Sequence, residues 1–170
     1  MYDVYNESPE TKNEVLIRGR YLMMACDIEF CLFNIIMYCS SDPNNHERAG
    51  QFKEMQMAGK INNTISDLKK YAPAYYLEFK DSFDGLEEFR IIRNDMSHGK
   101  GHFPFAPDFS LFQIITVTKD KFGIERIKFK DYNKDYIFRS MANFAKIIES
   151  LTYLWQRLKQ EYNSSAGRLI

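Results

Sequence analysis

Apolar residues recur at three- and four-residue steps along most of the chain, which is typical of helices that bury one face. This spacing predicts helices over about 10–39, 46–57, 60–71 and 74–98, and a last one that ends near residue 162 after a lead-in over 131–136. Ser8 and Pro9 suit the start of the first helix, with serine as its cap and proline as its first residue. The chain is therefore predicted to be all-α, a helical bundle.

One stretch near the C-terminus departs from the helical pattern. Residues 111–118 are rich in β-branched and aromatic side chains, 119–123 have the composition of a turn, and 124–130 alternate. The alternation places Ile127 and Phe129 on one side of the second strand, and Arg126, Lys128 and Lys130 on the other. The pattern predicts a small β-hairpin insertion before the C-terminal helix, whose basic side either contacts RNA or is a solvated face.

Length and charge limit the number of domains and the ways in which the protein could bind nucleic acid. The 170 residues suit a single domain over 1–170, ordered over about 8–162, with a frayed tail over 163–170. The formal net charge is zero, which argues against binding nucleic acid through bulk electrostatics but allows a local site. The first seven residues lack the pattern of a secretory signal peptide, and we expect a cytoplasmic protein.

The first helix carries the most apolar run of the chain, over residues 21–39. Its length could span a membrane, but Asp27 and Glu29 lie near its centre, where each charge costs about 2.5–3.5 kcal/mol. We therefore expect burial in a bundle or a subunit interface, and no membrane. Each acid needs a cation, for which Arg90 and Arg93 are candidates, unless that acid faces solvent.

The three cysteines all fall in or beside this apolar run, at positions 26, 31 and 39. None of them forms a C-x-x-C pair, so a redox motif or zinc knuckle is not indicated. We expect Cys26, Cys31 and Cys39 to be reduced residues of the core.

The helix that ends near residue 98 contains the candidate catalytic residues. Residues 90–99 read Arg-Ile-Ile-Arg-Asn-Asp-Met-Ser-His-Gly, and Gly101 and Pro104 then forbid a continued helix. Gly99 is expected to form a left-handed C-terminal cap. Arg93 can bind phosphate through its planar fork, and His98 can transfer protons near neutral pH.

The spacing of these two residues raises a geometric difficulty. At about 100° per residue, Arg93 and His98 lie roughly 140° apart on a regular helix, whereas Asn94 and His98 share a face. One helix therefore cannot aim Arg93 and His98 at the same phosphate unless its last turn unwinds. A second copy across a two-fold axis would also bring the two groups together.

The pattern Arg93-Asn94-x-x-x-His98 resembles the R-x4-6-H motif of HEPN-domain proteins. The layout is also similar: a long first helix, further helices ending in the motif, a short hairpin and a long last helix. This resemblance implies an up-and-down HEPN-like bundle that forms a homodimer. It also implies a metal-independent endoribonuclease of the toxin–antitoxin or phage-defence class, without a cofactor, which cuts RNA by attack of the ribose 2′-hydroxyl.

The resemblance also implies roles for single residues. His98 would act as general base or acid, Arg93 would stabilise the charge that develops on phosphorus, and Asn94 would orient the histidine or the phosphate. The residues expected to bind substrate are Lys100, His102, Arg126 and Lys128. HEPN toxins with a nucleotidyltransferase antitoxin often have tyrosine two residues after the histidine, where this chain has Lys100, so an antitoxin of another kind or another protein partner is expected.

Less specific interpretations stay open beside this one. Arg93 would then cap helix carbonyls or pair with Asp27 or Glu29, and His98 would be a C-terminal capping residue. The protein would then be a non-catalytic HEPN module that binds RNA, a nucleotide or a protein partner. A metal site is not predicted, because glycines break the helix between His98 and His102 and no acid or cysteine completes a set.

Overall fold

The computed structural model describes residues 8–40, 45–104, 110–119 and 121–166. They form mostly helix, with one small antiparallel sheet before the last helix. This agrees with the predicted helical bundle that has a β insertion before its C-terminal helix. The elements are α1 Pro9–Tyr38, α2 Asn45–Lys53, α3 Met57–Tyr71, α4 Pro73–Glu78, α5 Lys80–His98, β1 Lys100–His102, β2 Leu111–Lys119, β3 Glu125–Asn133 and α6 Lys134–Ala166.

The start of α1 is the predicted one. The backbone N–H of Thr11 donates to Ser8 Oγ at 3.2 Å, which satisfies one of the amide groups that a helix leaves free at its N-terminus. Pro9 follows as the first helical residue, where its missing N–H is not needed.

The predicted fourth helix is divided in two. Phe79 has φ −105° and ψ 13°, outside the helical range, and it separates α4 from α5. The one glycine of the predicted fourth helix, Gly85, suggests an irregularity there. Gly85 instead lies inside α5, and the break is at Phe79. The apolar spacing over 74–98 predicts that Leu77 lies in the core. Leu77, on the short α4, is instead exposed, so this prediction is wrong.

The last helix is longer than predicted at its C-terminal end. It begins at Lys134, directly after β3, and continues to Ala166. The first four residues of the predicted tail are therefore helical, and residues 167–170 lie outside the described part of the chain.

The predicted hairpin is confirmed as β2 and β3, which pair antiparallel with Val117 opposite Ile127 and Thr116 opposite Lys128. A third strand, β1, was not predicted. It pairs with the other edge of β2 and gives the sheet order β1-β2-β3. The three-residue β1 contains Gly101 and lacks β-branched residues, so its composition gives no strand signal.

The two faces of the sheet differ in burial. Cross-strand pairing places Phe112, Ile114 and Tyr132 on one face, and all three are buried. Lys128 and Arg126 continue this same face toward the turn and are exposed. The opposite face carries an exposed set of apolar side chains: Val117 at 60%, Ile127 at 62% and Phe129 at 63% exposure.

The chain divides into two compact units, one of residues 1–23 with 91–143 and the other of residues 24–90 with 144–170. The helices α1, α5 and α6 contribute to both units. Buried residues of the first unit include Ile17, Tyr21, Ile92, Met96, Phe112, Ile114, Ile137 and Met141. Those of the second include Ile28, Leu32, Ile35, Leu68, Phe83, Leu86, Phe89, Phe144, Leu151 and Leu154. A single domain over residues 1–170 stays a prediction.

The cysteines of α1 and its C-terminal end do not share one environment. Cys31 and Cys39 are buried as predicted, whereas Cys26 is exposed, so its predicted place in the core is wrong. Burial, and next the nearby Asp67 carboxylate, raise the pKa of the Cys39 thiol to about 12. That thiol therefore stays protonated at neutral pH.

By length and composition alone, α1 could cross a membrane. In its most apolar 18-residue window, 39% of the residues are buried within the protein. A core helix of a soluble protein passes the same test, so this property is weak evidence for a membrane span.

Candidate functional site

The motif helix remains regular to its last residue. α5 includes His98, and the Gly99 N–H donates to the Asp95 carbonyl at 2.9 Å, which continues the i to i−4 pattern. The last turn therefore does not unwind, and Arg93 and His98 stay about 140° apart around the axis. His98 is exposed, whereas Arg93 is half-buried. One copy of the chain does not aim both groups at one phosphate.

Gly99 is needed for space rather than for a left-handed cap. Its φ is not in the positive region, and within the described ranges the glycine with positive φ is Gly123. A Cβ at position 99 would lie 2.0 Å from Ile114 Cγ2 and 2.9 Å from the Asp95 carbonyl oxygen. The predicted cap is therefore wrong, and the glycine allows the end of α5 to approach β2 closely.

We expect Gly99→Ala to lower the free energy of unfolding by about 1–3 kcal/mol, because the added methyl group overpacks the contact with Ile114. Gly50→Ala is the matched control, since a Cβ there meets nothing within 4 Å. Because alanine is the better helix former, the control should raise stability by about 0.5–1 kcal/mol. Urea unfolding followed by circular dichroism measures both. Equal stability of Gly99→Ala and the parent chain would contradict the close approach.

Three side chains of α1 hold the segment that follows the motif. Arg18 donates to the Gly99 carbonyl at 2.6 Å, and Glu14 accepts from the Gly101 N–H at 3.2 Å. Glu10 accepts from the Phe103 N–H, also at 3.2 Å. The arginine places a positive charge at the C-terminal end of α5, where the helix dipole favours it and a carbonyl lacks a helical partner. This ladder fixes the chain directly after His98.

This ladder was not predicted from the sequence. Glu10, Glu14 and Arg18 stand four residues apart and therefore share a face of α1. That spacing was a usable signal for a polar stripe. It did not identify the partner, because residues 99–103 are more than eighty positions further along the chain.

Asp95 joins the motif helix to the sheet. Its Oδ2 accepts from Lys130 Nζ at 2.7 Å and from the Tyr132 hydroxyl. Burial, followed by the bond to Asp95, raises the pKa of Tyr132. His98 lies about 60° around the helix from Asp95, whereas Arg93 lies about 160° away. The histidine is thus beside the sheet-facing side of α5, and the arginine is on the far side.

Arg93 has no acidic partner among the residues that the structure describes. Its Nη1 donates to Asn94 Oδ1 at 3.3 Å, and its Nε is buried without a hydrogen-bond partner in the described part of the chain. It forms no ion pair with any residue of the described ranges. Other arginines do pair with carboxylates: Arg18 with Glu14, Arg48 with Asp67, Arg90 with Glu87 and Arg157 with Glu78.

The acids predicted as partners of this arginine are paired elsewhere or exposed. Glu29 accepts from Lys60 at 2.5 Å, and Asp27 is exposed. Arg18, and not Arg93, caps the carbonyl at the end of α5. Arg93 thus retains hydrogen-bonding capacity that a phosphate oxygen could use.

The sheet separates the predicted substrate-binding residues. Lys100 pairs with Ile115, on the face that carries Phe129, whereas Arg126 and Lys128 lie on the opposite face. All three of these basic residues are exposed. His102 pairs with Gln113 through its backbone in β1, and its side chain lies outside the description. In the described ranges, no three His, Cys, Asp or Glu side chains form a group that could hold a metal ion.

Comparison with known proteins gives no family assignment. No protein-family model matches the chain. No curated protein and no solved structure matches it either. The HEPN resemblance therefore depends on the Arg93–His98 motif and on the order of the elements.

Proposed function

We propose that the protein is a HEPN-type endoribonuclease that cuts RNA without a metal ion, with Arg93, Asn94 and His98 in its active site. The observation that carries the proposal is the state of Arg93, which is held half-buried on a regular helix and is not neutralised by a carboxylate of the described residues. A guanidinium in this state binds phosphate oxygens through charge-assisted hydrogen bonds. The exposed His98 follows five residues later on the same helix.

The cleavage step follows from these side chains. His98 as general base takes the proton of the ribose 2′-hydroxyl, whose oxygen attacks the adjacent phosphorus. The bond from phosphorus to the 5′-oxygen breaks, and that oxygen takes a proton from water, while His98 returns to solvent the proton that it removed. Arg93 stabilises the negative charge on the phosphoryl oxygens in the transition state. The products are a 2′,3′-cyclic phosphate and a 5′-hydroxyl.

The active site is proposed to form between two copies. The 140° between Arg93 and His98 separates them in one chain, whereas a two-fold axis near α5 would place Arg93 of one copy beside His98 of the other. The ladder from Glu10 to Arg18 and the packing of Gly99 support this, because both keep the end of α5 from rearranging.

An exposed apolar stripe on α1 supports a homodimer. Val15, Leu16, Leu22 and Met23 lie at helical spacing and are 43–69% exposed. Exposed apolar patches of this kind mark protein–protein contacts in soluble proteins. We propose that this stripe and α5 near the motif form the two-fold interface. The protein is then a cytoplasmic member of the toxin or phage-defence class, with an antitoxin or another protein as a further partner.

The basic face of the hairpin is proposed to guide the RNA. Lys130, Lys128 and Arg126 alternate along β3 on the face that meets α5, about 6.8 Å apart at each step. Lys130 is fixed by Asp95 beside His98, and the other two lead away from it. Such a row of cations suits the backbone of a single strand.

Cleavage of a labelled single-stranded RNA by the full chain tests the proposal. We expect cleavage to persist in EDTA and to stop when the ribose at the cut site is replaced by deoxyribose, which lacks the attacking hydroxyl. The 5′ fragment should carry a 2′,3′-cyclic phosphate. Loss of cleavage in EDTA, or cleavage of the deoxyribose substrate at the same site, would refute the mechanism.

The second candidate is a non-catalytic module that binds RNA, a nucleotide or a protein partner. The separation of Arg93 from His98 within one chain favours it, because a monomer would hold a phosphate-binding arginine without a converging histidine. Expression in bacteria separates the two functions. Toxicity relieved by His98→Ala supports the ribonuclease, whereas harmless expression favours the binding module.

A further inference from the structure

A groove of about 290 Å³ lies in the second unit, where α1, α2 and α3 supply its walls. This volume is near the lower end of the range for small-molecule sites. Its lining residues are Glu29, Phe30, Phe33, Phe52, Lys53 and Lys60. None of them belongs to the motif helix, so the groove is independent of the proposed ribonuclease site.

Three phenylalanine rings form the apolar part of the groove. Phe52 is 2% exposed and its ring centroid lies 6.3 Å from that of Phe33, with the two rings tilted. Phe30 packs edge-on against Trp155 and remains 59% exposed at the rim. Rings in such orientations can contact a flat aromatic ligand through both their faces and their edges.

Two ammonium groups flank these rings. Lys60 is 7% exposed, donates to Glu29 at 2.5 Å and lies 5.6 Å from the centroid of Phe52. Lys53, at the end of α2, is exposed and lies 6.0 Å from the centroid of Phe33. It forms no ion pair with any residue that the structure describes.

The charges of the groove select one class of ligand. Two lysines and one glutamate leave it with a net charge of plus one, and Glu29 neutralises the buried Lys60. The remaining positive charge is the ammonium of Lys53. A single carboxylate would balance it, whereas a phosphate would bring more charge and would favour an arginine fork, which the lining lacks.

We propose that this groove binds a small aromatic carboxylate, with the ring among Phe30, Phe33 and Phe52 and the carboxylate at the Lys53 ammonium. The ion pair between Lys60 and Glu29 closes the inner end and holds the rings in place. Little ordering is then needed when a ligand enters, which favours binding.

Calorimetric titration of the full chain with 2-naphthoate tests this assignment. The neutral 2-naphthylmethanol, of similar size, isolates the effect of the carboxylate. We expect 2-naphthoate to bind roughly 3- to 10-fold more tightly than the alcohol. Lys53→Met should remove this preference, because it keeps the apolar stem and deletes the charge. Lys146→Met, an exposed lysine of α6 outside the groove, is the control and should leave both affinities unchanged.

The apolar part is tested with Phe33→Leu, which keeps an apolar side chain but removes the ring. It should weaken both compounds by a similar factor, with an unchanged circular dichroism spectrum. Failure of 2-naphthoate to bind up to its solubility limit would overturn the proposal. Equal affinity of the acid and the alcohol, or an unchanged preference in Lys53→Met, would overturn the role of the charge.

Discussion

His98→Ala should lower the rate of RNA cleavage roughly 100- to 10,000-fold, the usual loss when a general acid–base is removed. The imidazole is exposed at the end of a helix, where its truncation leaves no cavity in the core. Overall stability should therefore change by less than about 0.5 kcal/mol, and the effect should fall on the rate alone.

Initial rates on a labelled single-stranded RNA measure this loss, with thermal unfolding as the check on the fold. His46→Ala is the matched control, because it removes a histidine outside the motif. It should cleave at the parent rate. Full activity of His98→Ala would mean that another group moves the proton and that the role transferred from the HEPN motif is wrong.

Arg93→Ala should lower the rate of RNA cleavage by a comparable factor, roughly 100- to 1,000-fold, because the charge of the transition state is no longer stabilised. Arg93→Lys should recover little of this, because lysine keeps the charge but not the planar fork that contacts two phosphoryl oxygens. The RNA affinity of Arg93→Lys should remain close to that of the parent chain, so the loss should appear in kcat.

Arg90→Lys, one turn earlier on α5, is the control for this pair of variants. Arg90 is bound to Glu87 at the surface, and such pairs contribute little to stability. Its activity should equal that of the parent chain. Parental activity in Arg93→Lys would show that charge alone suffices, and parental activity in Arg93→Ala would remove the arginine from the mechanism.

Local signals in the sequence predicted most of the helices. Ser8-Pro9 marked the start of α1, and the alternation after residue 111 marked the hairpin, because caps and periodicity act over a few residues. Strand β1 was not predicted, because its pairing with β2 depends on a tertiary contact and not on composition. The break at Phe79 was not predicted either, because the apolar spacing continues across it.

The candidate site was predictable in its chemistry but not in its surroundings. Arg93, Asn94 and His98 lie within six residues, so the sequence itself shows their combination. The roles of Arg18 at the helix end and of Asp95 toward Lys130 and Tyr132 depend on residues that are distant in sequence. Gly99 was assigned to a left-handed turn because that is the commonest use of glycine after a helix. The close approach of Ile114 explains it instead.

The separation of Arg93 from His98 on a regular helix leads to one central claim, that each active site is built from two chains. Mixing Arg93→Ala chains with His98→Ala chains tests it most directly. In a mixed dimer, the intact arginine of one chain meets the intact histidine of the other, while the second site loses both groups. An equal mixture, unfolded and refolded together, should recover about a quarter of the parent activity, since half of the dimers are mixed and each has one working site. Activity no higher than that of either variant alone would show that each chain carries a complete site, and would contradict the account.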